Sequence, residues 1–239
     1  MEDTNIALRI LAGLILAAAS AVQPAPTGTI TGRAVFTGTP PAPAPVSTRS
    51  DPVCVERAGL TIPSQTLLVG GDGGLQNAFV YVKYGLDPAA SFDVPAAPVV
   101  LDQVRCQYSP RVLGVRVGQP LELVNSDPAL HNTHARPVAN REFNIGQPIQ
   151  GMRFTHTFTN PEVMVPLTSD VHRWMAAYVG VMAHPFFAVT AADGSFTISG
   201  VPPGTYTLDA WHERLGAVTR EVTVAAGESS AVSFTFENR

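Results

Sequence analysis

The stretch Leu167-Thr168-Ser169-Asp170-Val171-His172-Arg173-Trp174-Met175 ends a short apolar run in a polar loop, and in that loop an imidazole and a thioether stand three residues apart. Upstream, Asn125-Ser126-Asp127-Pro128-Ala129-Leu130-His131-Asn132 closes another apolar run with a histidine at the loop tip. Imidazole nitrogen and thioether sulfur are both metal donors, and two loops at one end of a β-sandwich can present theirs to a single ion. The segments around the loops must then supply the sandwich.

They do so as short strands between turn signals. Residues 99–103, 112–117, 121–124, 152–158, 163–167 and 178–182 are apolar-rich runs with the spacing of a sandwich or barrel. Outside them, 27–36 alternates Ile30, Ala34 and Phe36 with polar or small residues, and the proline-rich 37–52 reads as a loop. Residues 67–69 and 78–84 flank Gly70-Gly71-Asp72-Gly73-Gly74 and suggest a hairpin-like pair. After Pro185, Asp193-Gly194 and Pro202-Pro203-Gly204 punctuate strands that predict a small antiparallel sheet at the end of the chain. The one helical signal is a turn or two over 171–177, which would carry His172 and Met175 on neighbouring faces.

Composition fits this all-β reading. The 21 prolines and 20 glycines are spread as turn punctuation, and 45% hydrophobic content over 239 residues buries a substantial core. A net charge of −4, with Lys83 the sole lysine and no basic run, argues against a nucleic-acid partner. Residues 10–22 are apolar and too short for a comfortable membrane span, and Ala19-Ser20-Ala21 suits signal-peptide cleavage. The expectation is export to the periplasm or beyond, with 1–22 as a signal peptide; Glu2 and Asp3 beside Arg9 leave an uncleaved anchor, and hence membrane attachment through this segment alone, as the alternative.

Cys54 and Cys106 are the only cysteines and lie outside both histidine loops. An even count in an exported chain reads as one disulfide, with two buried thiols as the alternative. On this reading the disulfide is remote from the histidines. Ser169, Asp170 and His172 crowd one loop and lack the separation of a catalytic triad. No Gly-x-Ser-x-Gly elbow or phosphate-cradling loop is present, so no enzyme is expected.

Two family resemblances cover nearly all of the mature chain. Thr190-Ala-Ala-Asp-Gly-Ser-Phe196 and Val201-Pro-Pro-Gly-Thr-Tyr206, with Gly28-Thr-Ile-Thr-Gly-Arg-Ala-Val-Phe36 far upstream, resemble the carboxypeptidase regulatory-like, or transthyretin-like, β-sandwich. Leu121-Glu-Leu-Val-Asn-Ser126, His131-Asn132 and His172 to Met175 resemble a cupredoxin. The combination is similar to exported plastocyanin-like proteins, some described as methylamine-utilisation proteins. It implies a cupredoxin-like Greek-key sandwich over 99–184, inserted in or packed against a transthyretin-like one built from 27–98 and 185–239.

The resemblance also implies a copper site. Cupredoxins hold copper with two histidines, a cysteine and a weak methionine. His131, His172 and Met175 match three of these, Asn132 matches an asparagine that braces the two loops, and Ser169 stands where the family has its cysteine. His134, three residues past His131, offers a substitute ligand, and the Ser169 oxygen could complete the shell of a copper(II) ion. His184 and His212 recur in the family and are expected to support the site from behind its ligands or at the module interface, while His156 reads as structural. The function expected is copper binding in copper handling or electron exchange with a protein partner; the alternative is a metal-free structural or interaction subunit of an envelope or surface assembly.

Overall fold

The computed structural model describes residues 26–238, so the expected signal peptide over 1–22 lies outside the described residues. In chain order the elements are β1 (Gly28–Thr37), β2 (Pro45–Ser47), α1 (Pro52–Ala58), β3 (Thr61–Pro63), β4 (Phe79–Tyr84), β5 (Val99–Val104), β6 (Gln107–Ser109), β7 (Val112–Arg116), β8 (Pro120–Asn125) and β9 (His131–Ala135). They continue with β10 (Phe143–Gln147), β11 (Arg153–Thr157), β12 (Glu162–Thr168), β13 (Ala176–Met182), β14 (Phe187–Val189), β15 (Ser195–Val201), β16 (Gly204–His212), β17 (Gly216–Val224) and β18 (Ser229–Glu237). No helix among the described residues is long and apolar enough to cross a membrane.

The outer sandwich is discontinuous in sequence. Its sheets run β15-β1-β18 and β14-β4-β16-β17, closing on Ile30, Phe36, Leu75, Phe196, Leu208 and Phe234. Alternation along β1 sends Ile30, Ala34 and Phe36 inward. Of the strands expected to form a small antiparallel sheet at the chain's end, β16 and β17 do pair antiparallel, while β15 and β18 lie in the facing sheet on either side of β1, which is parallel to β18. The expected hairpin is also absent, since residues 69 and 75 make only an isolated bridge. Phe79, Val80 and Val82 are buried, so β4 is apolar on both faces and takes the central position expected of such a strand. Its neighbours are β14 and β16.

Between β4 and β14 the chain builds a second sandwich, with sheets β10-β9-β12-β13-β7 and β11-β8-β5-β6. Parallel pairing of β7 with β13 and of β5 with β8 requires crossovers between the sheets. Its core includes Leu101, Leu121, Phe158, Leu167, Met175 and Val179. Two local expectations change here. Residues 172–175 form a non-helical turn, closed by Met175 N–H to His172 O at 2.8 Å, because β13 begins at Ala176 and leaves no room for a helix. The helix lies instead at α1, where Asp51 caps Val53 N–H at 2.8 Å and Pro52 starts the first turn.

Phe79 joins the sandwiches. Its ring reaches the inserted one where β7 and β13 pair Gly114 with Gly180, and a Cβ on Gly180 would come within 2.3 Å of Phe79 Cζ. Val112, Met182 and Phe187 complete this apolar seam. Beside it Arg111 donates to both carboxylate oxygens of Glu213, Nη2 to Oε2 at 2.8 Å, with both side chains largely buried. A fork of this kind fixes orientation as well as adding attraction.

Burial makes the fold acid-sensitive. His212 lies in the outer core, where desolvation, reinforced by the charges of Arg111 and Arg214, pushes its imidazole down to about 4. The unfolded chain takes up this proton near 6.5, so protons favour unfolding: the contribution is fully present above pH 6.5 and is lost as pH falls towards 4. This amounts to roughly 3 kcal/mol. His131, His156 and His184 are lowered by burial too and act in the same direction. Urea midpoints should fall across this window, and His212→Gln should have a flatter profile than wild type; identical slopes would remove His212 from the explanation.

Candidate metal centre

Asn132 ties the two histidine loops together. Its Oδ1 accepts from Ser169 Oγ at 2.8 Å, Asp170 N at 3.0 Å and Val171 N at 3.2 Å, while its Nδ2 donates to Asn144 Oδ1 at 2.9 Å. Tyr108 Oη adds bonds to Asn132 O and Thr168 O. Ser169 Oγ, besides donating to Asn132, accepts His172 N–H at 2.9 Å. Loop shape is thereby held by a hydroxyl and an amide. His131 opens β9 rather than sitting at a loop tip, because residues 131–135 pair with β10 and β12.

His131 and His172 are brought together. Their Nδ1 atoms are 3.0 Å apart and both side chains are buried, at 0% and 1% exposure. Each Nε2 faces a carboxylate, His131 to Asp127 Oδ2 at 3.0 Å and His172 to Asp51 Oδ2 at 2.9 Å. Asp127 also accepts from Arg105 N at 3.0 Å and Cys106 N at 2.7 Å. Burial raises the Asp51 carboxyl, but the His172 contact and the N–H groups of Val53 and Cys54 outweigh it and hold it below its ordinary value. Two carboxylates therefore claim the two Nε2 protons. In neutral imidazoles this leaves both Nδ1 lone pairs facing each other, a contact that a proton or a metal cation between them would relieve. Burial lowers the His131 pKa, against the opposing pull of Asp127.

The residues fit a copper ion in part. Two metal–nitrogen bonds of about 2.0 Å at close to a right angle span roughly 3 Å, which is the Nδ1 separation seen. Met175 is buried in the adjoining core and keeps the thioether of the expected set close in sequence. Ser169 supplies no thiolate, and its oxygen is engaged on both sides.

The remaining expected residues lie elsewhere. His134 is not a substitute ligand: three residues along a strand from His131, it points to the opposite face and is bound by Asp170 at 3.0 Å and Glu142 at 2.6 Å. His184 accepts from Phe186 N and His212 from Arg214 N; both bonds belong to the outer sandwich, and neither histidine supports the imidazole pair.

The cysteines require the largest correction. Cys54 and Cys106 form the expected disulfide, across 52 residues with Cα atoms 5.6 Å apart, but it is not remote from the histidines. Cys54 Sγ is 3.6 Å from His172 Nε2, and Trp174 Nε1 donates to Cys106 O at 2.9 Å. Asp51, Cys54 and His172 form one cluster of donor atoms and Cys106, Asp127 and His131 another, each within 4.8 Å. The proline-rich segment thus leaves the outer sandwich, pairs β2 with β3, and lays α1 over the histidines. Nothing in the sequence assigns Asp51, Cys54, Cys106 or Asp127 to the site. The capping pair Asp51-Pro52 is a legible signal for α1, but nothing local says what that helix covers.

Residues 177–237 match the carboxypeptidase regulatory-like domain. That match begins in β13, which the structure places in the inserted sandwich, so the regulatory-like domain's upstream strands β1 and β4 lie outside it. Solved structures similar to the chain include a copper-containing nitrite reductase from Thermus scotoductus, 26% identical, covering 41% of this chain and 27% of that one, TM-score 0.34. They also include a copper(I) form of an amicyanin variant, 24% identical, covering 41% of this chain and 98% of that one, TM-score 0.33. A purple cupredoxin from Nitrosopumilus maritimus is 28% identical, covering 31% and 81%, TM-score 0.28. No curated protein sequence matches the chain. The fold is all-β, one sandwich inserted in another, with the regulatory-like match over residues 177–237.

Proposed function

We propose that the chain is an exported copper-binding protein in which His131 and His172 hold the ion through Nδ1, with Met175 as a soft third donor. The observation that carries this reading is the 3.0 Å contact between two Nδ1 atoms whose Nε2 partners are both carboxylates. Thioether and imidazole without thiolate suit copper(I) and lack the covalent thiolate bond of a blue site. Burial of both imidazoles supports holding and transfer of copper over rapid electron exchange, with a protein partner as donor or acceptor. The disulfide agrees with an oxidising compartment.

The second reading, a metal-free interaction subunit of an envelope assembly, is favoured by Ser169 and by the capacity of one proton to bridge the same Nδ1 pair. Metal analysis of protein from its own host, with copper(I) and copper(II) titrations, separates the readings. Copper binding should be stoichiometric, and His131→Ala with His172→Ala should weaken copper(I) at least 100-fold. Metal-free protein with no tight copper binding would leave the interaction subunit.

A further inference from the structure

The Nε2 side of the histidine pair carries a second set of donors. Asp51 Oδ1 is committed to capping α1, which turns Oδ2 towards His172 Nε2 at 2.9 Å. Cys54 Sγ stands 3.6 Å from the same nitrogen, and Cys106 Sγ, on the side of Asp127 and His131, is joined to this set through its bond to Cys54 Sγ. In a tetrahedral zinc site, bonds of about 2.3 Å to sulfur and about 2.0 Å to nitrogen put those donors about 3.5 Å apart. Nitrogen, carboxylate oxygen and sulfur are therefore already spaced as donors to one ion. What prevents binding in the oxidised protein is the S–S bond, which leaves each sulfur without thiolate charge.

We propose that the Cys54–Cys106 disulfide is a redox latch on a thiophilic metal site made of Cys54, Cys106, His172 Nε2 and Asp51. A phosphine or dithiol reductant supplies two electrons and, with two protons, converts the disulfide into two thiols; the reductant leaves as phosphine oxide or disulfide. A divalent ion of the zinc class then replaces both thiol protons, forming two metal–sulfur bonds. Oxidation reverses the sequence and expels the ion. His131 stays outside this donor set, its Nε2 held by Asp127, which in turn is anchored by the N–H groups of Arg105 and Cys106. Ligation through His172 Nε2 moves its proton to Nδ1, which then donates to His131 Nδ1, so this site does not rest on the copper reading and excludes copper between the Nδ1 atoms while it is filled.

Cobalt(II) is the probe, because sulfur-to-cobalt charge transfer reports thiolate ligation directly. The full chain is reduced with a phosphine under anaerobic conditions, freed of reductant and titrated beside untreated protein. One equivalent of cobalt should give thiolate charge-transfer bands and four-coordinate visible bands, displaced by zinc, at least 100-fold tighter than in untreated protein. Cys54→Ser/Cys106→Ser should give neither band. His131→Gln, which removes the Nδ1 pair, should retain them, and losing them there would overturn the donor set. Two free thiols with no cobalt–thiolate bands would overturn the site itself. If reduction loosens the fold, one equivalent of zinc must restore the near-ultraviolet circular dichroism; failure to restore it counts equally against the proposal.

Discussion

Ser169→Cys, loaded with copper(II), is expected to develop a dominant visible thiolate-to-copper band that the native protein lacks. The framework for that thiolate is already built. Asn132 Oδ1 holds the Ser169 hydroxyl and the next two N–H groups, and His172 N–H points at the same Oγ. Met175 O and His172 O close the turn by accepting from Ser169 N and Met175 N. Substitution therefore changes the donor more than the shape. A hydroxyl is neutral and hard near pH 7, whereas a thiol of pKa about 8.5 loses its proton readily on binding a metal. Absorption and electron paramagnetic resonance of the copper(II) form, with a thiol count confirming one free cysteine, make the measurement. A folded, copper-binding but colourless variant would mean that the introduced thiolate and the two imidazoles do not reach the same ion.

What can be read from the sequence divides according to whether a signal is local. Alternation along 27–36 and the apolar runs from 99 to 182 specify strands because the side-chain period acts within each segment. The His131-Asn132 and His172 loops are likewise recognisable, since each carries its own chemistry. Pairing is not local: that β1 lies between β15 and β18 depends on which distant strand offers a complementary apolar face. The strap over the histidines is illegible for the same reason. Asp51 and Cys54 become partners of His172 only after the chain has folded twice, and their sequence neighbours are prolines and a short capped helix. His134 shows the converse error, in which proximity in sequence suggests a shared site and strand geometry turns the side chain away.

Phe79→Ala should be among the most destabilising single changes, at about 4 kcal/mol. The ring is fully buried and occupies the recess that Gly114 and Gly180 leave where β7 pairs with β13. Truncation removes its apolar surface from both sandwiches, and the Gly–Gly floor has no side chain with which to fill the space. Gly180→Ala acts from the other side, placing a methyl within 2.3 Å of Phe79 Cζ; overpacking of this kind costs roughly 1–3 kcal/mol. If the two groups meet as described, the double variant must be less destabilised than the sum of the single ones, because the added methyl fills part of the space that the Phe79 ring vacates. A coupling of about 1 kcal/mol or more is expected from urea unfolding of all four proteins. Strict additivity would show that ring and glycine act independently, and the seam between the sandwiches would then need another keystone. The coupling has a functional side as well. β13 runs from the histidine turn at Ala176 to this seam at Met182, so copper affinity measured in Phe79→Ala should show whether a loosened seam disturbs the imidazole pair or leaves it rigid.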